Sequence, residues 1–354
     1  MKVLQVCAFG APNPGNFIAS LTALERELKA KGAETVYAFA ETARDKGWCR
    51  ELCRTHKVYF LPVAKARILP RTYAIFRRIY REEQVDIVHS HFELYDIPAT
   101  VTAPRGTKVF WHLHDAIKLG YEKGRLSRKL LTRLQYGFFG RRARLLSVSE
   151  EHKAFVEQLG FPRENSCYCP NGIRLERIRD AAGGDEERFF LMFGWEVERK
   201  GVDLGVEAVR QCREDVLPLL VVGEERCKEY IESCGMGQRV RCSPPVPDVN
   251  ELYRHAKAFL HISRAEGQSY ALIEAVYAGL PVICSDIPED RFAEVFCNAH
   301  FVPNEAPERI AREMEALMDR PAPTEEELAH DRKIIRERYS LEAWCGRIMR
   351  EYGV

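Results

Sequence analysis

The 354-residue sequence is marked first by what it does not contain. No Cys-x-x-Cys pair occurs among its 12 cysteines, which excludes a zinc ribbon and a thioredoxin-like redox motif. No Gly-x-Gly-x-x-Gly follows the first strand-like stretch, and no Gly-x-x-x-x-Gly-Lys-Ser/Thr occurs anywhere. A dehydrogenase or a P-loop enzyme would therefore lack its phosphate cradle. No Asp-x-Asp pair is present to hold a divalent metal against a diphosphate. A bound diphosphate would have to be neutralised by side-chain cations and helix dipoles. The longest apolar stretch, Tyr270 to Cys284, contains Glu274 and falls short of the ~20 residues that a spanning helix needs. Net charge is nearly absent too, at +1 from 53 basic and 52 acidic side chains.

What is present is the profile of an ordinary globular protein. The chain is 46% hydrophobic and 30% charged, with 23 Gly and 18 Pro. At about 150 residues per domain it should form two domains, each with its own core. Disorder, collagen and small disulfide scaffolds are excluded. The cysteines are scattered and several, such as Cys7 and Cys284, sit inside apolar runs. There a thiol acts as a small hydrophobe, which fits the reducing cytosol. The opening MKVLQVCAFG reads as a buried strand rather than as a signal peptide.

The pattern along the chain is strand–helix alternation. Lys2–Phe9 reads as a strand, and Phe17–Lys31 as a helix stopped by Gly32. Thr35–Phe39, Lys57–Leu61, Ile87–Ser90, Lys108–Leu113 and Leu145–Val148 follow as short apolar strands. Strands of this kind separated by helices make a parallel sheet covered on both faces. The pattern breaks at CYCPNGI, and a charged stretch with Gly183-Gly184 reads as a linker. A second series then runs through strands Phe189–Gly194, Pro218–Gly223, Ala258–Ser263 and Pro281–Ser285, with helices Gly201–Cys212 and Tyr270–Gly279. A charged helix from Arg332 to Tyr352, broken at Ser340, ends the chain. The expected fold class is α/β, with two domains of similar size facing one another. The expected divisions are 1–170, a linker at 171–188, 189–335, and a terminal helix at 336–354.

The most informative stretch is Ser263-Arg-Ala-Glu-Gly-Gln-Ser-Tyr-Ala-Leu-Ile-Glu-Ala, followed by Gly-Leu-Pro-Val-Ile-Cys-Ser-Asp286. A strand ends at Ser263, a turn presents Glu266 and Gly267, and a helix starts near Ser269 with Glu274 about a turn inside it. Backbone N–H groups at such a helix start form an anion site. Carboxylates nearby accept sugar or ribose hydroxyl protons, which suits a nucleotide-sugar better than a bare phosphate. With Gly267 after the first Glu and seven residues between Glu266 and Glu274, the stretch closely resembles the EGxxxxxxE signature of retaining glycosyltransferases of the GT-B fold, family 4 type. Further stretches resemble that family's landmarks: Gly15-Asn16, Val85 to His91, His114-Asp115, Val148-Ser149-Glu150, Pro170 to Ile173, Gly194 to Asp203 and Arg338-Tyr339-Ser340.

The resemblance implies that both domains are Rossmann-like and that the terminal helix returns to the first. It also implies roles. Glu266 would hold donor-sugar hydroxyls and stabilise the reacting face, Glu274 would bind the ribose, and Lys200 would neutralise the leaving diphosphate. His114 would touch the donor sugar from the first domain. Gly15, Asn16, Gly194 and Gly267 would shape the donor loops. Retention of configuration without a metal or other cofactor, and catalysis by positioning and leaving-group stabilisation, come with the family. The sequence also departs from it. Trp195 stands where an Arg usually follows the glycine, with Arg199 close enough to compensate, and Arg174 replaces an Asp after Asn-Gly-Ile. Gln268-Ser269-Tyr270 replace the common Phe-Gly, which bears on donor identity rather than on reaction class. A sugar-nucleotide epimerase and a non-catalytic partner subunit of the same fold remain alternatives. Glu266→Ala and Lys200→Ala should each abolish transfer and leave thermal stability nearly unchanged.

Two further patterns bear on partners. His89, His91, His112 and His114 form i, i+2 pairs on two neighbouring strands, a zinc-like pattern that the family resemblance already accounts for. The near-zero charge also conceals an asymmetry, since residues 1–170 carry 28 basic and 17 acidic side chains and the rest carry 25 and 35. Lys118 to Arg144 holds nine basic residues against Glu122, interleaved with Tyr121, Leu126, Leu130, Leu131, Leu134, Tyr136, Phe138 and Phe139. This is the pattern of an interfacial anchor on anionic lipid, and the alternative is a helix pair that buries its Leu/Phe face in the core. No recognition motif for nucleic acid accompanies the charge. The expectation is a nucleotide-sugar donor and a glycan or lipid-linked acceptor, handled in the cytoplasm on the inner face of the cell membrane.

Overall fold

Short runs of Val, Ile and Leu become the strands of two parallel sheets. A computed structural model describes residues 1–181 and 188–354 and separates into two units, Met1–Gly172 with Leu341–Val354, and Ile173–Ser340. In the first unit, β1 (Lys2–Cys7), β2 (Glu34–Ala40), β3 (Val58–Leu61), β4 (Ile87–His91), β5 (Lys108–Leu113), β6 (Arg144–Ser147) and β7 (Ser166–Tyr168) lie in the order 3-2-1-4-5-6-7. In the second, β8 (Phe189–Gly194), β9 (Leu219–Gly223), β10 (Val240–Ser243), β11 (Ala256–His261), β12 (Val282–Ser285) and β13 (Ala299–Val302) lie in the order 10-9-8-11-12-13. Every strand pairing is parallel, and β4 is buried along its whole length, as strands covered on both faces must be.

Each sheet reverses its winding once, between β1 and β4 in the first unit and between β8 and β11 in the second. Connections leave such a reversal in opposite directions, so a crevice opens at the carboxyl ends of the two strands. In the first unit those ends are Cys7 and His91, and in the second Gly194 and His261. The polar residues singled out in the sequence fall at these two places.

Three edge strands, β7, β10 and β13, were not legible as strands. Their sequences SCY, VRCS and AHFV are short, and most of their residues are incompletely buried, so no continuous apolar run marks them. Two expected boundaries also move. The segment taken as a linker from 171 is not free: Ile173, Ile178 and Ala181 are buried in the second core with Leu191, Phe259 and Ile273. The Gly183-Gly184 part of the expected linker lies outside the described residues. The terminal division expected at 336 falls later, because one helix runs unbroken over Glu325–Tyr339 and buries Ile335 and Tyr339 in the second core. The chain re-enters the first unit with the helix Leu341–Tyr352, whose Trp344, Ile348 and Tyr352 pack against Val3, Leu24, Ile87 and Phe110. Truncating an indole buried like that of Trp344 costs about 3–5 kcal/mol. All 12 cysteines are free thiols.

Candidate active site

In the second unit, two loops meet at the sheet reversal. One leaves β8 at Gly194 and enters the helix Val202–Gln211, and the other leaves β11 and enters the helix Tyr270–Ala278. Close backbone approach fixes their relation. A Cβ on Gly194 would sit 2.4 Å from a Val202 methyl group. One on Gly201, whose φ is +73°, would sit 2.2 Å from the Ile262 carbonyl oxygen. The Arg264 backbone N–H donates to the Arg199 carbonyl at 2.8 Å. The Arg264 guanidinium also forks onto both Asp203 oxygens at 2.8 Å and reaches Glu305. A planar fork on a carboxylate is stiff, and here it locks one loop to the other.

The consequence is an ion pair between the loops. The Lys200 ammonium lies 2.5 Å from Glu266 Oε1, and Arg199 Nη1 lies 3.6 Å from Glu266 Oε2. Lys200 and Glu266 are each only 6% exposed, so their attraction is weakly screened. Burial by itself would raise the Glu266 carboxyl, but Lys200, His261 and Arg199 outweigh it and hold the group down at about 2. The Trp195 ring lies under the Lys200 ammonium, 4.4 Å from its centroid, and is the exposed partner of the two. A cation on an indole face is worth about 0.5–1 kcal/mol when exposed. Trp195, standing where an Arg usually follows the glycine, thus seats the lysine with a ring face.

Around this pair the loop 266–269 is buried, and Ser269 caps the following helix by accepting from the Leu272 N–H at 3.2 Å. Tyr270 is half-buried at the first helical turn. Glu274 is buried on the same helix and accepts from the Tyr253 hydroxyl at 3.4 Å. Beneath the loop, His261 Nε2 meets buried Asp290 at 3.1 Å, and His261 Nδ1 lies 3.5 Å from Ser269 Oγ. Neither His261 nor Asp290 was singled out in the sequence. The one available signal was a histidine closing an apolar strand, AKAFLH.

The first unit gathers its polar groups differently. His114 follows β5, and its Nε2 lies 3.0 Å from His91 Nδ1. Phe17 and Phe92 pack against its ring at 5.5 and 4.7 Å, and Asn171 hydrogen-bonds to it. Phe17 belongs to the helix Gly15–Ala30, so Gly15, with φ at +54°, and Asn16 begin the element that covers His114. The ligating nitrogens of His89, His91 and His112 lie within 4.8 Å of one another, all buried, so the zinc-like pattern does converge in space. Burial lowers all four imidazoles, His114 to about 3, and the cluster is therefore neutral near pH 7.

Known protein families match most of the chain. Residues 19–177 match the family described as Glycosyltransferase Family 4, and residues 175–335 match Glycosyl transferases group 1. The chain belongs to the family 4 type of GT-B glycosyltransferases. A curated relative is the lipopolysaccharide glucosyltransferase WaaG of Escherichia coli, 29% identical over 131 residues. That match spans 35% of each of the two chains. A second is the phosphatidyl-myo-inositol mannosyltransferase of Mycobacterium leprae, 22% identical over 99% of this chain and 96% of its own. Among solved structures, Anabaena HepE in complex with UDP superposes with a TM-score of 0.80 at 16% identity, all of both chains being covered. Sucrose-phosphate synthase of Thermosynechococcus elongatus gives 0.82 at 16% identity over 99% of this chain and 98% of its own. At that identity the structural likeness establishes the GT-B fold alone.

Within this glycosyltransferase, then, the structure draws Glu266, Lys200, Arg199, Trp195, Gly194 and Gly267 to Tyr270 together in one unit. In the other, Gly15 and Asn16 open the helix whose Phe17 packs on His114. Glu274 shares a helix with the first set but turns toward Tyr253.

Proposed function

We propose that this glycosyltransferase moves a sugar from a nucleotide-sugar to a cell-envelope polysaccharide or lipid-linked glycan, with retention of configuration and without a divalent metal. The observation that carries the reading is the Lys200–Glu266–Arg199 cluster beside the amino end of the helix Tyr270–Ala278. When a diphosphate leaves, negative charge develops that must be neutralised. Lys200, Arg199 and the helix N-terminus supply positive charge at one place, the role a metal plays elsewhere. Lys200 is held before any donor arrives, between Trp195 and Glu266, so little ordering remains to be done on binding. Glu266 stays ionised at any working pH and accepts from sugar hydroxyls. His114 serves the donor sugar from the first unit, and Glu274 takes the ribose.

The acceptor side rests on a surface. In the helix Leu126–Gly137 and its C-terminal cap, Leu126, Leu130, Leu134 and Phe138 recur every fourth residue and are 82%, 67%, 46% and 61% exposed. The alternative, in which apolar residues of this stretch pack into the core, holds for the opposite side, where Tyr136 is buried and Phe139 packs against the first core. An apolar stripe bordered by Arg125, Arg128, Lys129, Arg133 and Arg141 fits an anionic bilayer surface, with leucines in the acyl boundary and cations at the headgroups. No helix among the described residues is long and apolar enough to cross a membrane. The names of two relatives, a lipopolysaccharide glucosyltransferase and a phosphatidyl-myo-inositol mannosyltransferase, support a lipid-linked acceptor.

Incubation with a panel of UDP-, GDP- and ADP-sugars, following free nucleoside diphosphate and thermal shift, tests the reading. Slow donor hydrolysis, quickened by a lipid-linked acceptor extract and insensitive to EDTA, is expected. Hydrolysis abolished by EDTA would end the metal-independent reading. Interconversion of sugar-nucleotides would favour an epimerase, and neither binding nor turnover with any donor would favour a partner subunit.

A further inference from the structure

The first unit holds an unbroken hydrogen-bonded chain from the last helix of the protein to His114. Tyr352 Oη lies 2.6 Å from His89 Nδ1 and accepts from Gln5 Nε2 at 3.3 Å. Gln5 Oε1 lies 2.9 Å from His91 Nε2, and His91 Nδ1 lies 3.0 Å from His114 Nε2. Gln5, His89, His91 and Tyr352 are each no more than 1% exposed, so water does not rescue a wrongly placed proton. They stand together because β1, β4 and β5 pair in register, with Gln5 beside His89 and His91 beside His112, all on the face covered by the helix Leu341–Tyr352.

A neutral imidazole has one N–H and one lone pair, so a ring that donates at one nitrogen must accept at the other. The Gln5 amide sets the direction. Its Nε2 donates to Tyr352 Oη at 3.3 Å, which leaves the hydroxyl proton for His89 Nδ1 and turns the Gln5 carbonyl to His91. A carbonyl only accepts, so His91 must donate from Nε2. His91 is left with a lone pair at Nδ1, so His114 must donate from its own Nε2.

We propose that Tyr352, Gln5 and His91 are positioning residues that hold His114 in the Nε2–H tautomer, so that its Nδ1 meets the donor sugar as a hydrogen-bond acceptor. The relay carries no net proton transfer; it fixes where one proton sits. Asn171 also hydrogen-bonds this ring, in the sense that raises its proton affinity, so its amide competes for the Nδ1–H form that the relay opposes. The proposal rests on the reading of His114 as a sugar-contacting residue. A metal centre is the competing use of the same side chains. Against it, the His89 and His112 rings lie parallel, 3° apart in plane, and lone pairs in parallel planes do not converge on one ion.

The test is a long-range ¹H–¹⁵N correlation on full-length protein labelled at histidine, with the His114 signals assigned from their loss in His114→Gln. The expected spectrum shows His114 with a pyrrole-type Nε2 and a pyridine-type Nδ1. Tyr352→Phe and Gln5→Met each remove the anchor, and in either one the His114 nitrogens should shift toward averaged values of mixed tautomers. If the two forms become equal, donor affinity falls about two-fold. A wild-type His114 protonated at Nδ1 overturns the proposal, as does an unchanged His114 signature in whichever variant folds by circular dichroism. Stoichiometric zinc with metal-type ¹⁵N shifts overturns it too. The tautomer is read without turnover. A failed relay in an enzyme that hydrolyses donor thus strikes only this proposal, and an intact relay in a protein that binds no donor strikes only the glycosyl-transfer reading.

Discussion

The two units put polar groups at the same topological place and equip them with opposite chemistry. At the reversal of the second sheet the groups are charged: Lys200 and Arg199 against Glu266. At the reversal of the first they are uncharged imidazoles, joined by Gln5 and Tyr352. Both sites are buried, so the difference does not come from access to water. On the proposed function, it follows from what each would have to meet. A diphosphate brings charge that must be balanced, whereas a sugar brings hydroxyls that must be sorted into donors and acceptors. A buried charge needs a counter-charge, and a buried neutral network needs only its protons in the right places.

The strongest way to break this comparison is to remove the charges. Glu266→Ala and Lys200→Ala should each lower transfer more than 100-fold, the usual effect of losing a group aimed at developing charge. Wild-type turnover in both would refute the assignment. The structure does change one expectation about these variants. Because the pair is buried, removing one partner strands the other, at a cost of about 3–5 kcal/mol. Thermal stability is therefore expected to fall visibly, by about 5–10 °C, instead of staying nearly unchanged. The double variant Glu266→Leu/Lys200→Met strands no charge and should melt closer to wild type than either single variant. A double variant that melts lower than both would mean that the pair matters through packing and not through charge.

Acid should separate the two units next. Each buried imidazole of the first unit titrates below its ordinary value of 6.5, so the unfolded chain binds more protons over that interval. Stability from these groups is complete above pH 6.5 and drains as pH falls, at about 1.4 kcal/mol per pH unit for each of them. Glu266 is depressed from 4.5 to about 2, so its contribution is complete above pH 4.5 and is lost only between there and about 2. Hydrogen exchange followed by mass spectrometry between pH 6.5 and 4.5 should show β4 and β5 loosening while the loop 262–269 stays protected. Loosening of both in the same window would remove the distinction drawn here.

How much of this was legible in the sequence depended on whether a signal was local. Continuous apolar runs gave the central strands, and the spacing of Glu266 and Glu274 with its flanking glycines gave the second unit's loop and its family. The edge strands β7, β10 and β13 escaped because a strand with an open side needs no apolar pattern. The linker was misplaced because Ile173 and Ile178 sit among charged residues, and only tertiary packing tells a buried isoleucine from a loop one. Arg264, His261 and Asp290 escaped for a related reason: each acts through a partner more than 25 residues away. The histidine pairs were visible, but Gln5 and Tyr352 were not. A glutamine inside VLQVC was the available hint of a buried polar network, and its partner lies at the far end of the chain.

The basic stripe offers a milder perturbation. Leu130→Ser and Leu134→Ser together should weaken sedimentation with anionic phosphatidylglycerol vesicles on the order of ten-fold at low salt, from the apolar area no longer buried. Pelleting of the wild type should itself fade as salt is raised. No low-salt pelleting, or pelleting indifferent to salt, would remove the membrane from the proposal and leave a soluble acceptor for the same unit.

The smallest expected effect concerns the residue that departs most from the family. Trp195 lends Lys200 a ring face and no charge. Trp195→Arg would exchange an interaction of about 0.5–1 kcal/mol for a second cation beside the first. If the second unit works by charge alone, that cation should lower the donor KM a few-fold at low salt and leave kcat nearly unchanged. The gain should shrink as salt is added, since the side chain is exposed. If the donor KM rises instead and salt makes no difference, the indole itself must bind part of the donor. The charged unit would then share with the neutral one a dependence on shape, and the contrast between them would hold for Glu266 and Lys200 but stop at the rim.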